Sequence, residues 1–420
     1  MIVVMRMLVV ASALSAGLAA APRPDQGPLQ PGATPSIQMA PSPASGDSAQ
    51  PQMTVSSRGV LLSWVERVSE RATLRFAERT SSGWTPASTV ASGDDWFVNW
   101  ADVQSVVRLD DRTLAAHWLQ KSGPGTYAYD VRLAYSRDDG RRWSEPFTPH
   151  HDGLQREHGF ASLFRMPHGG LGLVWLDGRA MAAEAGHGAS AGSQGTMSVR
   201  YAAFDSEWRQ THEMPVDLRV CECCPTSAAM TAEGPIVAYR NRSEGEVRDI
   251  YVSRLEKAGW TAPEAAHADG WTIAACPVNG PMLDAAGADV ALAWFTVKDD
   301  VGHAYAAFSR DAGRSFGAPI RLDDTAALGR VDIAMLPGGT AVATWVEAEG
   351  ARPAFRARQV DPSGRRSDAV TVARVSGARA SGYPRVAYHG GEIVFAWTEI
   401  RDGRPVVSTA ATPARALPAP

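Results

Sequence analysis

The sequence predicts an all-β protein, specifically a β-propeller of seven blades that are each a four-stranded antiparallel sheet. Three features of the 420 residues support this prediction: an apolar run that ends in an aromatic residue recurs seven times, a polar hairpin motif recurs in phase with it, and no long stretch shows helical periodicity. The runs lie 51 to 64 residues apart, which is enough for four short strands and their turns. They end at Trp64, Trp118, Trp175, Tyr239, Trp294, Trp345 and Trp397.

Each repeat is expected to contribute its strands in the same order. In RVDIAMLPGGTAVATW a first strand and a turn precede the apolar second strand, and in VRLAYSRDDGRRWSEP the third strand leads into a hairpin and a fourth. The last repeat, which ends in PVVSTAATP, lacks this outer strand. We expect the N-terminal segment around PSIQMAP to supply it and to close the ring. Six blades would result instead if the first and last repeats shared one blade.

The hairpin motif has the pattern S-x-D-x-G-x-x-W/F and occurs as SRDDGRRW from Ser136 and as SRDAGRSF from Ser309. In such a hairpin the Ser and Asp side chains bond to the backbone, the glycine adopts a positive φ and the aromatic ring packs between blades. Both copies match the Asp-box, and the chain resembles the sialidase-like (BNR-repeat) propellers over essentially all of its mature length. The enzymes of that family have six blades, whereas the seven aromatic-ended strands favour seven blades here.

The segments outside the repeats have a different composition. Residues 1–21 are typical of a secretory signal peptide, because Arg6 precedes an apolar run that ends in small residues. Residues 22–50 are rich in Pro, Ala and Ser and predict a flexible lead-in, 51–411 the propeller, and 412–420 a short tail. We therefore expect a periplasmic or secreted monomer with no membrane span. A net charge of -4 without a basic run argues against a nucleic-acid partner.

The phase of the repeats places one group of residues at the mouth of the central channel. The innermost strands are expected to begin near Trp100, His158, Cys224, Cys276, Arg330 and Tyr383, all at one face. Loops between second and third strands add Arg240, Arg242, Asp249, Glu399 and Arg401. Trp271, like Trp100, falls in a connection between blades, where it either packs within the loops or offers a stacking platform for a sugar. We expect a small-molecule, sugar or metal ligand to bind at this face.

All four cysteines are expected at this face. Cys221, Cys223 and Cys224 lie in CECCPT, and Cys276 in ACPVNGP occupies the equivalent position of the next blade. Three interpretations remain open: disulfides between adjacent blades, a labile redox bridge, or a metal site in which thiolates and His158 hold Cu(I) or Zn(II). The even number of cysteines suits disulfides, whereas three cysteines within four residues exceed what one disulfide needs. VCECCPTSAAM and DGWTIAACPVNGPM also resemble segments of exported bacterial sialidase-like proteins, which implies a shared site at this face.

The resemblance to sialidases implies a particular set of catalytic groups. Three arginines clamp the substrate carboxylate, a tyrosine assisted by a glutamate is the nucleophile, and an aspartate is the acid/base. The candidate positions are Arg240, Arg330, Arg401, Tyr383, Glu399 and Asp102. Arg165 in FRMP is excluded because it aligns with Met335, near the opposite face. The arginines would equally suit ion pairs between blades. Binding at the channel mouth is therefore the leading hypothesis, with an exo-sialidase-type glycoside hydrolase and a non-catalytic interaction scaffold as alternatives.

Overall fold

The computed structural model describes residues 37–181, 195–350 and 352–420, which form seven antiparallel sheets arranged as the blades of a propeller. The prediction of seven blades is thus confirmed, and the alternative of six is wrong. Each blade is built from one sequence repeat, and its first strand lies nearest the central axis. Besides strands, the described residues contain three short 3-10 helices at Pro167–Gly169, Arg379–Ser381 and Ala414–Ala416. None of the helices in these ranges is long and apolar enough to cross a membrane.

The strands follow one another around the ring in chain order, except that β1 belongs to the last blade. Blade 1 holds β2 (Ser48–Val55), β3 (Val60–Val68), β4 (Arg71–Thr80), β5 (Gly83–Trp84) and β6 (Ser88–Gly93), and blade 2 holds β7 (Ser105–Arg108), β8 (Leu114–Lys121) and β9 (Tyr129–Ser136). Blade 3 holds β10 (His158–Arg165), β11 (Leu171–Asp177), β12 (Met197–Phe204) and β13 (Gln210–Val220). Blade 4 holds β14 (Ser227–Thr231), β15 (Gly234–Arg240), β16 (Ile250–Glu256), β17 (Gly259–Trp260) and β18 (Glu264–Ala265).

The remaining three blades complete the ring. Blade 5 holds β19 (Met282–Ala286), β20 (Asp289–Lys298), β21 (Val301–Ser309) and β22 (Ile320–Arg321), and blade 6 holds β23 (Ala327–Met335), β24 (Ala341–Glu347), β25 (Ala354–Val360) and β26 (Val370–Arg374). Blade 7 holds β27 (Arg385–His389), β28 (Glu392–Arg401), β29 (Arg404–Pro413) and β1 (Gln38–Ala40). The blades are therefore not uniform, since in blade 2 the place of a fourth strand is taken by a single bridge between Leu133 and Phe147.

The N-terminal strand closes the ring. β1 pairs antiparallel with β29, with Gln38 opposite Ala411 and Ala40 opposite Thr409. This is the outer strand that the last repeat lacks, so the predicted closure is confirmed. β1 and the start of β2 lie in the segment expected to be a flexible lead-in, and Leu417, in the expected tail, is buried against the core of blades 6 and 7.

The recurring aromatic residues are the largest buried side chains of the propeller. Trp64, Trp175, Trp294, Trp345 and Trp397 are almost fully buried on the second strands of their blades. A sheet packed on both faces needs bulky apolar side chains on each strand, and an indole fills the gap between blades. The indole N–H of Trp175 donates to Asp177 at 2.9 Å, which satisfies its buried polar atom.

Side chains of the inner strands tie neighbouring blades together around the channel. Asp284 on β19 accepts the N–H of Met335 on β23 at 2.8 Å, and Asp332 on β23 accepts the N–H of Val386 on β27 at 2.9 Å. Inner strands of all seven blades line a central cavity of about 240 Å³. The channel therefore contains buried carboxylates whose hydrogen bonds fix the spacing of the blades.

Candidate functional site

Three cysteines form a compact group between the end of β13 and the start of β14, and we call Cys221, Cys223 and Cys224 the cysteine cluster. Each is at most 3% exposed. Their sulfur atoms all lie within 4.8 Å of one another, and the sulfurs of Cys221 and Cys223 are 3.8 Å apart. No disulfide joins any of the four cysteines, because a disulfide requires sulfurs about 2.05 Å apart. The structure thus presents the cluster as thiols.

Close packing brings the segment around Cys276 against the cysteine cluster. A Cβ atom on Gly280 would collide with the carbonyl oxygen of Pro225, so ACPVNGP packs on CECCPT only because residue 280 has no side chain. Cys276 and Val278 also pack against the apolar core that contains the three cysteines. The equivalence of the two Cys-Pro segments, inferred from the repeat, therefore corresponds to direct contact.

A network of arginines and glutamates adjoins the cysteine cluster. Arg248 Nη1 donates to Cys221 Sγ at 3.4 Å and to Glu222 Oε2 at 3.2 Å, and its Nη2 donates to Glu246 at 2.9 Å. Arg242 pairs with both glutamates. Two guanidinium groups and two carboxylates therefore balance each other beside the thiols, and Arg248 directs positive charge at one sulfur.

The three thiols have different acidities because their partners differ. Burial raises the pKa of Cys221, but hydrogen bonds from Cys223 and Cys224 and the positive charge of Arg248 outweigh burial and hold the pKa well below its usual value. Burial raises the pKa of Cys223 and of Cys224, and hydrogen bonding to Cys221 raises both further. Cys221 is thus the most acidic thiol of the cluster.

Aromatic residues from the connections between blades 1 and 2 and between blades 6 and 7 pack against the core that contains the cluster. Tyr383 stacks on Trp100 with ring centroids 5.8 Å apart, and the Tyr383 hydroxyl donates to the carbonyl of Val278. Burial, together with the nearby Cys224, raises the pKa of Tyr383 above its usual value. The guanidinium of Arg330 lies over Trp100, 5.5 Å from the ring centroid. Trp100 therefore contributes to the wall of the site, with Tyr383 and Arg330 in contact with it.

The predicted ligand-binding arginines are engaged with other groups of the protein. Arg240 is 1% exposed and donates to the carbonyls of Asn279 and Phe295 at 2.8 and 2.6 Å. Arg330 is buried and donates to Ser381 and to two backbone carbonyls, and Arg401 pairs with Glu399 at 2.7 Å. These arginines therefore hold strands and loops in place, each through its own set of partners.

Asp249 and Trp271, the remaining predicted binding residues, also have structural partners. Asp249 accepts the N–H groups of Gly270 and Trp271 at 3.0 and 3.1 Å. The Trp271 ring is buried between Phe295 and the guanidinium of Arg240, which lies 4.9 Å from its centroid. The geometry therefore matches the loop-packing alternative for Trp271 and offers a ligand no open ring face there.

The three predicted catalytic residues lie in separate environments. Glu399 binds Arg401 and Ser408, with distances of 2.7 and 3.1 Å, and Tyr383 donates to a backbone carbonyl. Asp102 is buried, accepts the N–H of Phe160 at 2.6 Å and accepts the hydroxyl of Tyr129 at 3.0 Å. Among the described residues, Tyr383 and Glu399 do not hydrogen-bond to each other, as a nucleophile and its assisting carboxylate would.

His158 does not join the cysteine cluster. Its Nε2 lies 2.9 Å from Asp152 Oδ2, its Nδ1 lies 3.3 Å from Asp130 Oδ1, and its ring stacks on His150 with centroids 3.8 Å apart. The expected convergence therefore holds for the cysteines but not for this histidine. The physical reason is a β-bulge: β10 has one extra residue between Gly159 and Ser162, which reverses the side that the preceding residue faces.

Several residues of these sites are not evident from the repeat. Arg248, Glu222 and Glu246 lie in loops whose charged residues are typical of solvent-exposed turns. His150 and Asp152 lie in the irregular connection PHHDG between β9 and β10. The adjacent histidines are the one local signal that points to this connection, and their carboxylate partners come from elsewhere in the chain.

Comparison with solved structures finds other propellers. The polysaccharide lyase Uly1 has 12% sequence identity and a TM-score of 0.50, over 92% of this chain and 93% of that chain. A PL25 ulvan lyase has 9% identity and a TM-score of 0.55, over 91% of this chain and 100% of that chain. The sialidase of Trypanosoma rangeli has 10% identity and a TM-score of 0.44, over 79% of this chain and 57% of that chain. At such identities the likeness to the two lyases shows the fold alone.

Comparison with protein-family models finds no match, and a sequence comparison with curated proteins finds none either. The function must therefore be inferred from the site itself.

Proposed function

We propose that this protein binds one soft metal ion, Cu(I) or Zn(II), through the thiolates of the cysteine cluster. The observation that carries the proposal is the position of three buried, unbridged sulfurs within 4.8 Å of one another. Thiolates about 2.3 Å from a metal ion lie about 3.8 Å apart in a tetrahedral site. The 3.8 Å between Cys221 and Cys223 fits that spacing. Soft sulfur ligands favour Cu(I) and Zn(II) over hard cations such as Mg²⁺.

The surroundings support metal binding because they favour the thiolate form of Cys221 in a dry site. Each cysteine must lose its proton to bind a metal ion, and Arg248 beside Cys221 stabilises the negative charge that results. The aromatic wall of Trp100 and Tyr383 belongs to the same apolar core as the cysteines and limits the access of water.

Cys276 distinguishes the two candidate metals. Structural Zn(II) takes four protein ligands, and a thiolate from Cys276 is the available fourth sulfur. Cu(I) is satisfied by three thiolates. We therefore expect Cys276→Ser to weaken Zn(II) binding at least tenfold and to change Cu(I) binding little.

The test is a metal titration of the full chain, purified anaerobically, against a chromophoric competing chelator. We expect one equivalent of Cu(I) or Zn(II) per cysteine cluster, and at least tenfold weaker binding in Cys223→Ser and Cys224→Ser. Met214→Leu is the matched control because Met214 packs against the same core but lies outside the sulfur cluster. A thiol count that shows two disulfides under these conditions, or equal affinity in the cysteine variants and the control, would refute the proposal.

A further inference from the structure

A second group of metal-ligating side chains lies in blades 2 and 3, apart from the cysteine cluster. It combines Asp130 on β9, His150 and Asp152 in the connection that follows, His158 at the start of β10 and Asp177 at the end of β11. We call these five residues the His–Asp cluster. They are far apart in sequence, and the pairing of His158 with Asp177 across β10 and β11 brings the parts together.

Three polar atoms of the His–Asp cluster lie close together without forming well-aligned hydrogen bonds to one another. One oxygen of Asp130 lies 3.3 Å from His158 Nδ1 and 3.8 Å from His150 Nε2. Ligand atoms of Asp130, His150 and His158 all lie within 4.8 Å of one another. His158 is 0% exposed and His150 is 5% exposed. The site is therefore a set of two buried imidazoles and one partly buried carboxylate.

The same three atoms have no hydrogen-bond partner in the described part of the chain. Asp130 Oδ1, His150 Nε2 and His158 Nδ1 are all buried and lack a bond of acceptable geometry. Buried polar atoms are nearly always paired, because an unpaired one loses its hydration without compensation. Three such atoms within 4.8 Å of one another indicate a ligand that all three can bind.

The opposite edge of the His158 ring is held as that of a metal-binding histidine is held. His158 Nε2 bonds to Asp152 at 2.9 Å. A ligating histidine commonly gives its second nitrogen to a carboxylate, which fixes the ring and leaves the first nitrogen for the metal. Asp177, on the same side, accepts the indole N–H of Trp175 at 2.9 Å and pairs with Arg179 at 2.7 Å. These contacts hold the Nε2 edge of His158 and leave its Nδ1 on the side of Asp130.

The charge of the cluster favours a cation over a water molecule. Asp130, Asp152 and Asp177 contribute three carboxylates. Two groups carry positive charge opposite them: Arg179, which lies 3.3 Å from Asp152 and also pairs with Glu213, and the His158 ring, which lies between Asp130 and Asp152 and whose pKa these carboxylates raise. A divalent ion at the unpaired atoms would balance the excess negative charge, whereas a water molecule would not.

We propose that Asp130, His150 and His158 bind a divalent first-row transition metal ion such as Zn²⁺ or Co²⁺. Two imidazoles and one carboxylate suit this class of borderline ion, in contrast to the thiolates of the cysteine cluster. The parallel rings tilt toward Asp130 when the ion binds, because it must lie in the plane of each ring. This proposal stands independently of the soft-metal site.

Cobalt(II) titration of the full chain, under anaerobic and reducing conditions, tests the proposal and separates the two sites. Co²⁺ bound by thiolates gives an intense near-ultraviolet charge-transfer band, whereas Co²⁺ bound by His and Asp gives only weak visible bands. We expect His150→Ala and Asp130→Asn to weaken the binding measured by the weak bands at least tenfold and to leave any thiolate band unchanged. Cys223→Ser should leave the weak bands unchanged.

His151→Ala is the matched control, because the neighbouring His151 is exposed and bonds to Gln210 instead. It should bind Co²⁺ like the original protein. Asp130→Asn keeps the volume of the side chain, so it still provides a test if His150→Ala misfolds. A thermal melt would reveal such misfolding. Equal binding in Asp130→Asn and the control, or the absence of any thiolate-independent Co²⁺ binding, would overturn the proposal.

Discussion

At the scale of single residues, hydrogen bonds account for the residue types that the hairpin motif requires. Ser136 Oγ accepts the N–H of Gly140 at 2.9 Å, and Asp138 accepts the N–H of Arg142 at 2.9 Å. Ser309 and Asp311 form the same bonds in blade 5. Gly140 has a φ of 80°, which favours glycine. The motif therefore stabilises a turn, and it says little about function.

Gly140→Ala tests whether the motif glycine is needed for space as well as for conformation. A Cβ atom there would lie 2.5 Å from Phe76 Cζ of blade 1, and the positive φ adds further strain. We expect a loss of about 2 to 5 kcal/mol in the free energy of unfolding, measured by urea denaturation. Gly153→Ala is the control because φ is 68° and no atom lies within 4 Å of its Cβ position. It should cost only about 1 to 2 kcal/mol; equal losses would contradict the packing argument.

At the scale of strands, the inner strands differ in a way that the sequence repeat conceals. β2 and β10 each carry one extra residue relative to the partner strand and β23 carries two, and Gln50, Phe160 and Arg330 in these bulges have positive φ. The aromatic anchors and the proximity of the two Cys-Pro segments could be predicted because they depend only on repeat length. The orientations of His158 and Arg330 could not, because a bulge of one residue changes which side a residue faces without altering the hydrophobic pattern.

The His–Asp cluster could not be predicted from the sequence, for a related reason. Asp130 sits in an ordinary strand, His150 in an irregular connection, and Asp177 after an aromatic anchor, so no single segment contains a metal-binding spacing. Only the pairing of strands shows that these residues meet. By contrast, the three sulfurs of CECCPT are neighbours in the chain, and their proximity follows from local geometry.

The buried carboxylate of Asp332 makes one inner strand sensitive to pH. Burial raises the pKa of Asp332 from 3.8 to about 6, the charge of Arg385 opposes this rise, and Asp284 adds to it. Because the folded pKa exceeds the unfolded one, the stabilisation from the bound proton is complete below pH 3.8 and is lost as the pH rises through 6. The protein should gain stability from this residue on acidification.

Asp332→Asn removes that titration and provides the measurement. The quantity to follow is the difference in unfolding free energy between the original protein and the variant. We expect this difference to increase by up to about 3 kcal/mol as the pH falls from 7 to 4. Urea denaturation of both proteins at several pH values gives this difference, and the other carboxylates cancel in it. A difference that stays constant over the range would show that Asp332 has an ordinary pKa.

At the scale of the whole molecule, stability depends on a ring that the two ends of the chain close together. Successive blades are joined by the chain itself, but the last blade needs β1 from the N-terminal side as its outer strand. The hydroxyl of Thr409 on β29 also donates to the carbonyl of Ala40 at 3.1 Å. Without β1, the backbone groups of β29 would form an exposed sheet edge, which promotes association with other chains.

Two truncated chains test the role of this closure. A chain that begins at Ser42 lacks β1, whereas a chain that begins at Ile37 retains it and serves as the control. Loss of the three residue pairs between β1 and β29 should cost about 3 kcal/mol, at about 1 kcal/mol for each backbone hydrogen bond. We expect a lower melting temperature for the shorter chain by calorimetry, and oligomers formed through the uncovered β29 by light scattering. Equal melting temperatures and equal masses per particle would mean that the ring is held by its inner strands alone, with the N-terminal strand a passive cover.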